Sequence, residues 1–201
     1  MELIDAYKKI KDQKFNLFLT NDVAGLLKIS NEHAGQILSR LVKKGLLIRL
    51  IRGRFSFSRD IDPNLIPPIL TYPLDSYISL QSALYFHGMI SQVPQVIYAV
   101  SLDRTKRIKT PLATFSIHHL SPNFFFGFEP TGKNQVLMAT PEKALLDFFY
   151  CNPGKTGLFK RLPELEFPKD FDFEKAWNYI DKIHSSNRRS LVRRLMAEAV
   201  C

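Results

Sequence analysis

The chain has 201 residues, of which 45% are hydrophobic and 23% charged, proportions typical of folded globular proteins. This composition excludes a disordered chain, a collagen-like repeat and a small disulfide-stapled protein. Twenty-eight Lys and Arg residues against 19 Asp and Glu residues give a formal net charge of +9. Such an excess makes nucleic acid the first partner to consider, and an anionic membrane surface the second.

The cysteines and the first residues indicate the compartment. Cys151 and Cys201 lie 50 residues apart, which is neither a metal-binding spacing nor a disulfide framework. The first 14 residues mix acidic side chains with lysines and contain no apolar run, so we expect no signal peptide. No apolar stretch approaches the roughly 20 residues that span a bilayer. The sequence therefore predicts a soluble cytoplasmic protein with no membrane partner.

The first sixty residues predict three helices. Apolar residues at helical spacing indicate a first helix that begins at Leu3 and ends near residue 12 or 13. Thr20 or Asn21 is expected to cap a second helix, and Ser30 a third. The short connection between the second and third helices has helix-turn-helix spacing. The third helix is expected to end at Gly45 and to bury Ala34, Ile37, Leu38 and Leu41.

A basic hairpin is predicted next. Residues 46–51 and 55–58 are strand-like, and Arg52-Gly53-Arg54 forms the turn between them. Seven basic residues and no acidic residue lie between Arg40 and Arg59. Three helices followed by such a hairpin predict a winged helix-turn-helix DNA-binding domain over residues 1–60. This region carries a net charge of +6, against +3 for the rest of the chain.

The predicted module suggests which side chains face DNA. A helix in the major groove presents the exposed residues of its N-terminal turns to base edges, where Asn and Gln pair with adenine and Arg with guanine. Glu32 can accept a hydrogen bond from the cytosine amino group. The two lysines after this region are expected to hold phosphates, and the hairpin arginines to contact a phosphate or the minor groove. The predicted DNA-binding residues are Ser30, Asn31, His33, Gln36, Arg40, Lys43, Lys44, Arg52 and Arg54.

Four prolines fall within the 13 residues from Ile61 to Pro73. Neither a helix interior nor a central strand tolerates that density, so residues 61–76 are predicted to be an extended linker. Residues 77–201 predict a mixed α+β domain. Its predicted elements are a helix from Ser79 to Gly88, strands at 96–100, 114–117 and 136–139, a helix beginning at Thr140-Pro141, and helices over 173–180 and 191–199. The predicted fold class is therefore α+β, with an N-terminal winged helix-turn-helix followed by a mixed α+β C-terminal domain.

Two stretches of the second domain carry a family resemblance. They are YISLQSALYFHGMISQVPQVIYAVS (77–101) and ATPEKALLDFFY (139–150). Behind a predicted winged helix they resemble the AbiEi family of antitoxins, which are transcriptional regulators of abortive-infection toxin–antitoxin systems. The resemblance implies a repressor that binds repeats in its own promoter. It also implies a C-terminal domain that counteracts a nucleotidyltransferase-like toxin without a stable complex.

The resemblance carries over no catalytic residue and no cofactor. Because operators are commonly paired half-sites, two copies are expected on DNA, as a dimer or as cooperative monomers. An alternative is a metal-dependent enzyme acting on nucleic acid through Glu142, Lys143 and Asp147. These residues share one helix, however, where Lys143 and Asp147 are expected to form an ordinary surface ion pair. A second alternative is a regulator or adaptor without an antitoxin role, whose winged helix binds protein.

Four further features of the sequence contain residue types that can carry chemistry. His118 and His119 adjoin on a strand, point to opposite faces and are therefore not expected to share a metal ion. Residues 154–157, GKTG, lack the upstream glycine of a phosphate-binding loop and are interpreted as a turn. The Phe124–Phe128 run is interpreted as a buried strand and core or, alternatively, as a partner or dimer surface. The arginines from Arg188 to Arg194 are either the polar face of the last helix or an extension of the DNA surface.

Overall fold

The computed structural model describes residues 3–13, 15–151 and 164–200, which fold into mixed α+β structure as predicted. No helix among these residues has the length and apolar character needed to cross a membrane. The helices are α1 (Leu3–Lys11), α2 (Thr20–Leu27), α3 (Asn31–Lys43), α4 (Pro67–Thr71), α5 (Leu80–Phe86), α6 (Pro141–Cys151), α7 (Phe173–Asp181) and α8 (Ser186–Val200). The strands are β1 (Leu17–Leu19), β2 (Ile48–Ile51), β3 (Arg54–Ser56), β4 (Ser76–Ile78), β5 (Ile97–Ser101), β6 (Lys106–Lys109), β7 (Thr114–His119), β8 (Phe128–Thr131) and β9 (Val136–Ala139).

A small sheet completes the N-terminal region. Strands β2 and β3 form the predicted hairpin, and β1 pairs with β3 on its other side, giving the order β1-β3-β2. The chain passes from β1 directly into α2, so Thr20 is already helical and neither Thr20 nor Asn21 is the cap. Instead the Asp22 carboxylate accepts the backbone N–H of Leu19 at 2.7 Å. The predicted cap of α2 is therefore wrong. The sequence analysis also did not predict the three-residue strand β1.

A six-stranded sheet organises the second region, in the order β6-β7-β5-β4-β9-β8. The pairs β5/β7 and β4/β9 are parallel, and the remaining pairs are antiparallel. The three predicted strands correspond to β5, β7 and β9. Both edge strands escaped prediction; β8 contains Pro130, whose missing N–H is tolerated at a sheet edge.

Different residues of the hairpin pack into two separate hydrophobic clusters. One cluster is built by α1, α2 and α3 and includes Phe55; the other fills the large sheet and its helices and includes Leu50. Leu17, Ile48 and Ile51 also pack against the second cluster. The hairpin therefore rests on the second region rather than projecting freely from the first.

The prediction of an extended linker over residues 61–76 is wrong. Residues Pro63–Leu65 form a 3₁₀ turn, α4 follows, and β4 begins at Ser76. Ile66 and Leu70 are buried in the core of the second region. The prolines fit because α4 begins with two of them, at helical positions whose N–H groups need no intrahelical partner.

Candidate nucleic-acid interface

Helix α3 carries most of the predicted site. The Ser30 hydroxyl accepts the backbone N–H of His33 at 3.2 Å, which confirms the predicted cap. The four predicted core residues of α3 are buried against the N-terminal cluster. Because that face is buried, the opposite face is left to Glu32, Gln36 and Arg40, which are exposed at helical spacing.

The hairpin turn lies beside this face of α3. Gly53 has a φ of +77°, in the left-handed region that favours glycine. Its carbonyl accepts the backbone N–H of Thr20 at 3.0 Å, so the turn is held against the start of α2. Arg52, immediately before the glycine, is exposed.

An open groove of about 800 Å³ lies between α3 and the hairpin. This α3–hairpin groove brings together five of the nine predicted DNA-binding residues, namely Asn31, Gln36, Arg40, Lys43 and Arg52. Thr20, Glu32, Gly35, Ser39, Arg49, Gly53 and Phe55 complete its lining. Its four cationic side chains and single carboxylate give it a net charge of +3, and its other polar groups are amides and hydroxyls.

Arg49 is a groove residue that the predicted set missed. Its Nη2 donates to the Ser39 hydroxyl at 2.7 Å, and its guanidinium carbon lies 5.7 Å from the Phe55 ring centre. Arg49 therefore joins β2 to α3 across the groove. The signal in the sequence is the alternation of polar and apolar residues along the predicted strand. It agrees with the structure, in which Arg49 is exposed and the next residue, Leu50, is buried.

Gly35 is a second missed residue, in the middle of α3. A Cβ atom at this position would have no atom within 4 Å, so packing does not demand glycine here. Glycine costs a helix interior about 0.5–1 kcal/mol relative to alanine. What Gly35 provides is space, because the groove wall has no side chain at that point. The signal that the sequence contains is a glycine in the interior of the predicted third helix.

Three predicted residues of α3 lie outside the groove lining. Ser30 has the structural role of N-cap. His33 is exposed on the first turn, and Lys44 is the C-cap residue, whose N–H donates to the carbonyl of Arg40. The Lys44 side chain is exposed and has the same charge as Lys43, but only Lys43 lines the groove.

The prediction that Arg54 contacts DNA is not supported by its geometry. Its Nε donates to the carbonyl of Ile69, and its Nη2 donates to the carbonyl of Tyr72 at 2.9 Å. These carbonyls lie at the C-terminal end of α4, where a cation is favoured by the helix dipole. Arg54 thus attaches the hairpin to the second region and leaves Arg52 as the cation of the turn.

Lys143 and Asp147 do not form the expected surface ion pair. Both side chains are fully buried, and the Lys143 ammonium donates to the Asp147 carboxylate. Asp147 also accepts the hydroxyls of Tyr77 at 2.9 Å and Ser79 at 2.7 Å, while Lys143 Nζ lies 3.9 Å from the Phe124 ring centre. Burial lowers the pKa of Lys143 and raises that of Asp147, because each charged form loses hydration. The pair is a core element of the second region.

Glu142 has separate partners from Asp147. Its carboxylate accepts the Thr140 hydroxyl at 2.7 Å and the Asp172 backbone N–H at 3.2 Å, and lies 3.0 Å from Lys175 Nζ. Burial alone would raise the pKa of Glu142, but these hydrogen bonds outweigh it and lower the pKa. Within the described ranges no three His, Cys, Asp or Glu residues are placed to hold a metal ion.

The adjacent histidines of β7 point apart as predicted. His118 is buried, and its Nε2 lies 2.9 Å from the Ser116 hydroxyl. Burial lowers the pKa of His118, since the imidazolium form loses hydration. His119 is exposed, with Nδ1 3.2 Å from the Asp103 carbonyl. Residues 154–157, interpreted as a turn, lie outside the described residues.

The aromatic run and the C-terminal arginines contribute to the second region. Phe124 is buried and stacks on Tyr150 at 4.7 Å, and the other phenylalanines of the run are partly buried against the same core. The run therefore belongs to the core, but the predicted strand is wrong, because Phe124 ends a 3₁₀ turn and β8 begins only at Phe128. Gly127 has a φ of +72°, and a Cβ there would lie 3.0 Å from Lys143 Cγ. In the arginine cluster, Arg188 donates to the Tyr150 carbonyl. The described ion pairs of that cluster are Arg193 with Asp181 and Arg194 with Glu198.

No protein-family model matches this chain, and no curated protein sequence matches it. The stretch at 77–101 forms most of β4, all of α5 and β5 and the loop between them. The stretch at 139–150 contains the last residue of β9 and nearly all of α6.

Proposed function

We propose that this chain is a sequence-specific DNA-binding transcriptional repressor that uses residues 1–60 as a winged helix-turn-helix. The observation that carries the proposal is the α3–hairpin groove. It combines cations on both walls, which can contact phosphates, with amide side chains on α3, which can contact base edges.

The groove suggests a division of roles along α3. An α-helix with its side chains is about 10–12 Å across and fits the major groove, which is about 12 Å wide. Asn31 and Gln36, on the N-terminal half of α3, would contact base edges, and Arg40 would follow one turn later. Lys43, on the last turn of α3, and Arg52, in the hairpin turn, would contact phosphates of the flanking backbone.

The antitoxin role is a proposal that rests on the resemblance of residues 77–101 and 139–150 to the AbiEi family. In this view the repressor controls its own promoter as two copies, and its second domain counteracts a nucleotidyltransferase-like toxin. The experiment begins with the neighbouring gene: if it encodes a nucleotidyltransferase-like protein, the two proteins are co-expressed, and absence of such a gene would contradict the antitoxin role. Restored growth is expected, and undiminished toxicity would contradict the antitoxin role while leaving DNA binding untouched.

DNA binding is tested by fluorescence anisotropy on the duplex upstream of the gene, over a series of salt concentrations. We expect Lys43→Gln, Arg40→Ala and Arg52→Ala each to weaken binding severalfold and to reduce the salt slope by about 1. Lys44→Gln removes the same charge next to Lys43 but outside the groove, and is the matched control. It should have a clearly smaller effect.

Two outcomes would overturn this assignment. Unchanged binding in both Arg40→Ala and Arg52→Ala would show that DNA does not use the α3–hairpin groove. Failure of the unmodified protein to bind any duplex at low salt would favour the adaptor alternative, in which the winged helix contacts protein.

A further inference from the structure

A second cavity, of about 290 Å³, opens in the second region. It lies at the carboxyl end of β7, which pairs in parallel with β5, and the carboxyl ends of parallel strands favour ligand binding. The ends of α6 and α8 meet it there. Its lining includes Thr105, His118, His119, Ser121, Tyr150 and Arg188.

Arg188 gives this cavity its positive charge. Its Nη1 donates to the Tyr150 carbonyl, and its guanidinium carbon lies 4.9 Å from the Tyr150 ring centre. These contacts hold the planar guanidinium in one orientation. Among the described residues Arg188 forms no ion pair, so its charge is not neutralised by a neighbouring carboxylate. A guanidinium has five N–H donors, and only one is used by the Tyr150 carbonyl.

Hydroxyl and imidazole groups surround the guanidinium. The Thr105 hydroxyl accepts the backbone N–H of His119 at 3.0 Å, which leaves its own hydrogen to donate. Ser121 adds a second hydroxyl, which caps no helix N–H. Among the described residues no carboxylate belongs to the cavity lining, and the nearby Asp103 is paired with Lys106.

We propose that this cavity binds the oxyanion group, phosphoryl or carboxylate, of a small molecule. Arg188 would supply the charge and a planar pair of N–H donors, while Thr105 and Ser121 would donate from other sides of the ligand. A volume of about 290 Å³ is close to the lower end of the range for small-molecule sites, so the organic part of the ligand is small. The site is separate from the α3–hairpin groove and does not depend on DNA binding.

The experiment uses the full chain with two probes, inorganic phosphate and acetate, followed by calorimetry and by thermal unfolding. Saturable binding of at least one probe is expected, and the probe that binds more tightly identifies the oxyanion class. Arg188→Gln should weaken that binding by about tenfold or more, because it removes the charge-assisted hydrogen bonds. Arg193→Gln, on the same helix but paired with Asp181, is the matched control and should bind as the unmodified protein does.

Arg188→Gln also removes the hydrogen bond to Tyr150, so circular dichroism must show that the variant is folded. Ser121→Ala provides a second variant on a different element, and should weaken binding severalfold. Absence of saturable binding of both probes to the unmodified protein would overturn the proposal. Binding that is unchanged in folded Arg188→Gln and in Ser121→Ala would overturn it equally, since the anion would then be held elsewhere.

Discussion

Replacing Gly35 with glutamine separates the shape of the α3–hairpin groove from its charge. Gly35 lines the groove from the middle of α3, and a Cβ there meets no atom within 4 Å. The new side chain can therefore be accommodated without strain. Because glutamine favours helix more than glycine does, the free energy of unfolding should rise by about 0.5 kcal/mol.

DNA binding should change in the opposite direction. The glutamine side chain would stand between α3 and the base edges, where each good contact contributes about 1–3 kcal/mol. Losing one such contact corresponds to an affinity loss of roughly tenfold, and losing two to about a hundredfold. In the proposed complex phosphate contacts would involve Lys43 and Arg52, whose charges are unchanged, so the salt slope should stay close to that of the unmodified protein.

The matched control is Gly25→Gln in α2. Gly25 is an exposed helical glycine that, like Gly35, has no atom within 4 Å of an added Cβ, but it lies outside the groove lining. Urea unfolding should show a similar gain in stability for both variants, while anisotropy should show weaker DNA binding for Gly35→Gln alone. Full affinity in a folded Gly35→Gln protein would refute the placement of DNA in this groove.

Three further changes test the packing described above. Arg54→Gln removes two charge-assisted hydrogen bonds to carbonyls, so the free energy of unfolding measured in urea should fall by about 1–3 kcal/mol while DNA affinity is retained. An affinity loss as large as that of Arg52→Ala would place Arg54 on the DNA surface instead. Lys143→Met leaves the buried Asp147 carboxylate without its cation and should lower the free energy of unfolding by about 3–5 kcal/mol. The added change Asp147→Leu should recover part of that loss, and additive losses in the double variant would contradict a coupled pair. The pKa of Glu142 is lowered in the folded protein, so its ionised form stabilises the fold above the ordinary value of 4.5, and this contribution is lost as pH falls through the lowered pKa. Unfolding measured against pH should thus show Glu142→Gln less stable than the unmodified protein near neutral pH and nearly equal to it in strong acid; a difference that persists unchanged in acid would show that the charge of Glu142 is not responsible.

Local sequence signals determined the third helix and most of its exposed face. Ser30 supplies the cap within three residues of its acceptor, and the apolar spacing from Ala34 to Leu41 selects the buried face. These interactions span at most a few helical turns, so they can be recognised without knowing the rest of the fold. The same reasoning located the hairpin, because Gly53 permits the positive φ that its turn needs.

Other features depended on what the distant chain supplies. The direction of Arg54 is set by carbonyls 15 and 18 residues away, which are in reach only because α4 packs beside the hairpin. The prolines before α4 indicated an extended linker, yet burial of Ile66 and Leu70 stabilises a helix there. Propensity alone does not describe such a segment, because tertiary burial outweighs it.

Lys143 and Asp147 show most clearly where sequence reasoning stops. Their spacing of four residues placed them together on one helix face, and that part is correct. The same spacing suits an exposed pair and a buried one. Burial was decided by Tyr77, Phe124 and Ser79, which come from distant parts of the chain and replace the water that an exposed pair would keep. The sequence thus determined most of the helices, the hairpin and three strands of the large sheet, together with the amphipathic faces and the concentration of positive charge near the N-terminus. Only the tertiary structure decided which charged groups face solvent, because desolvation depends on neighbours that are remote in sequence.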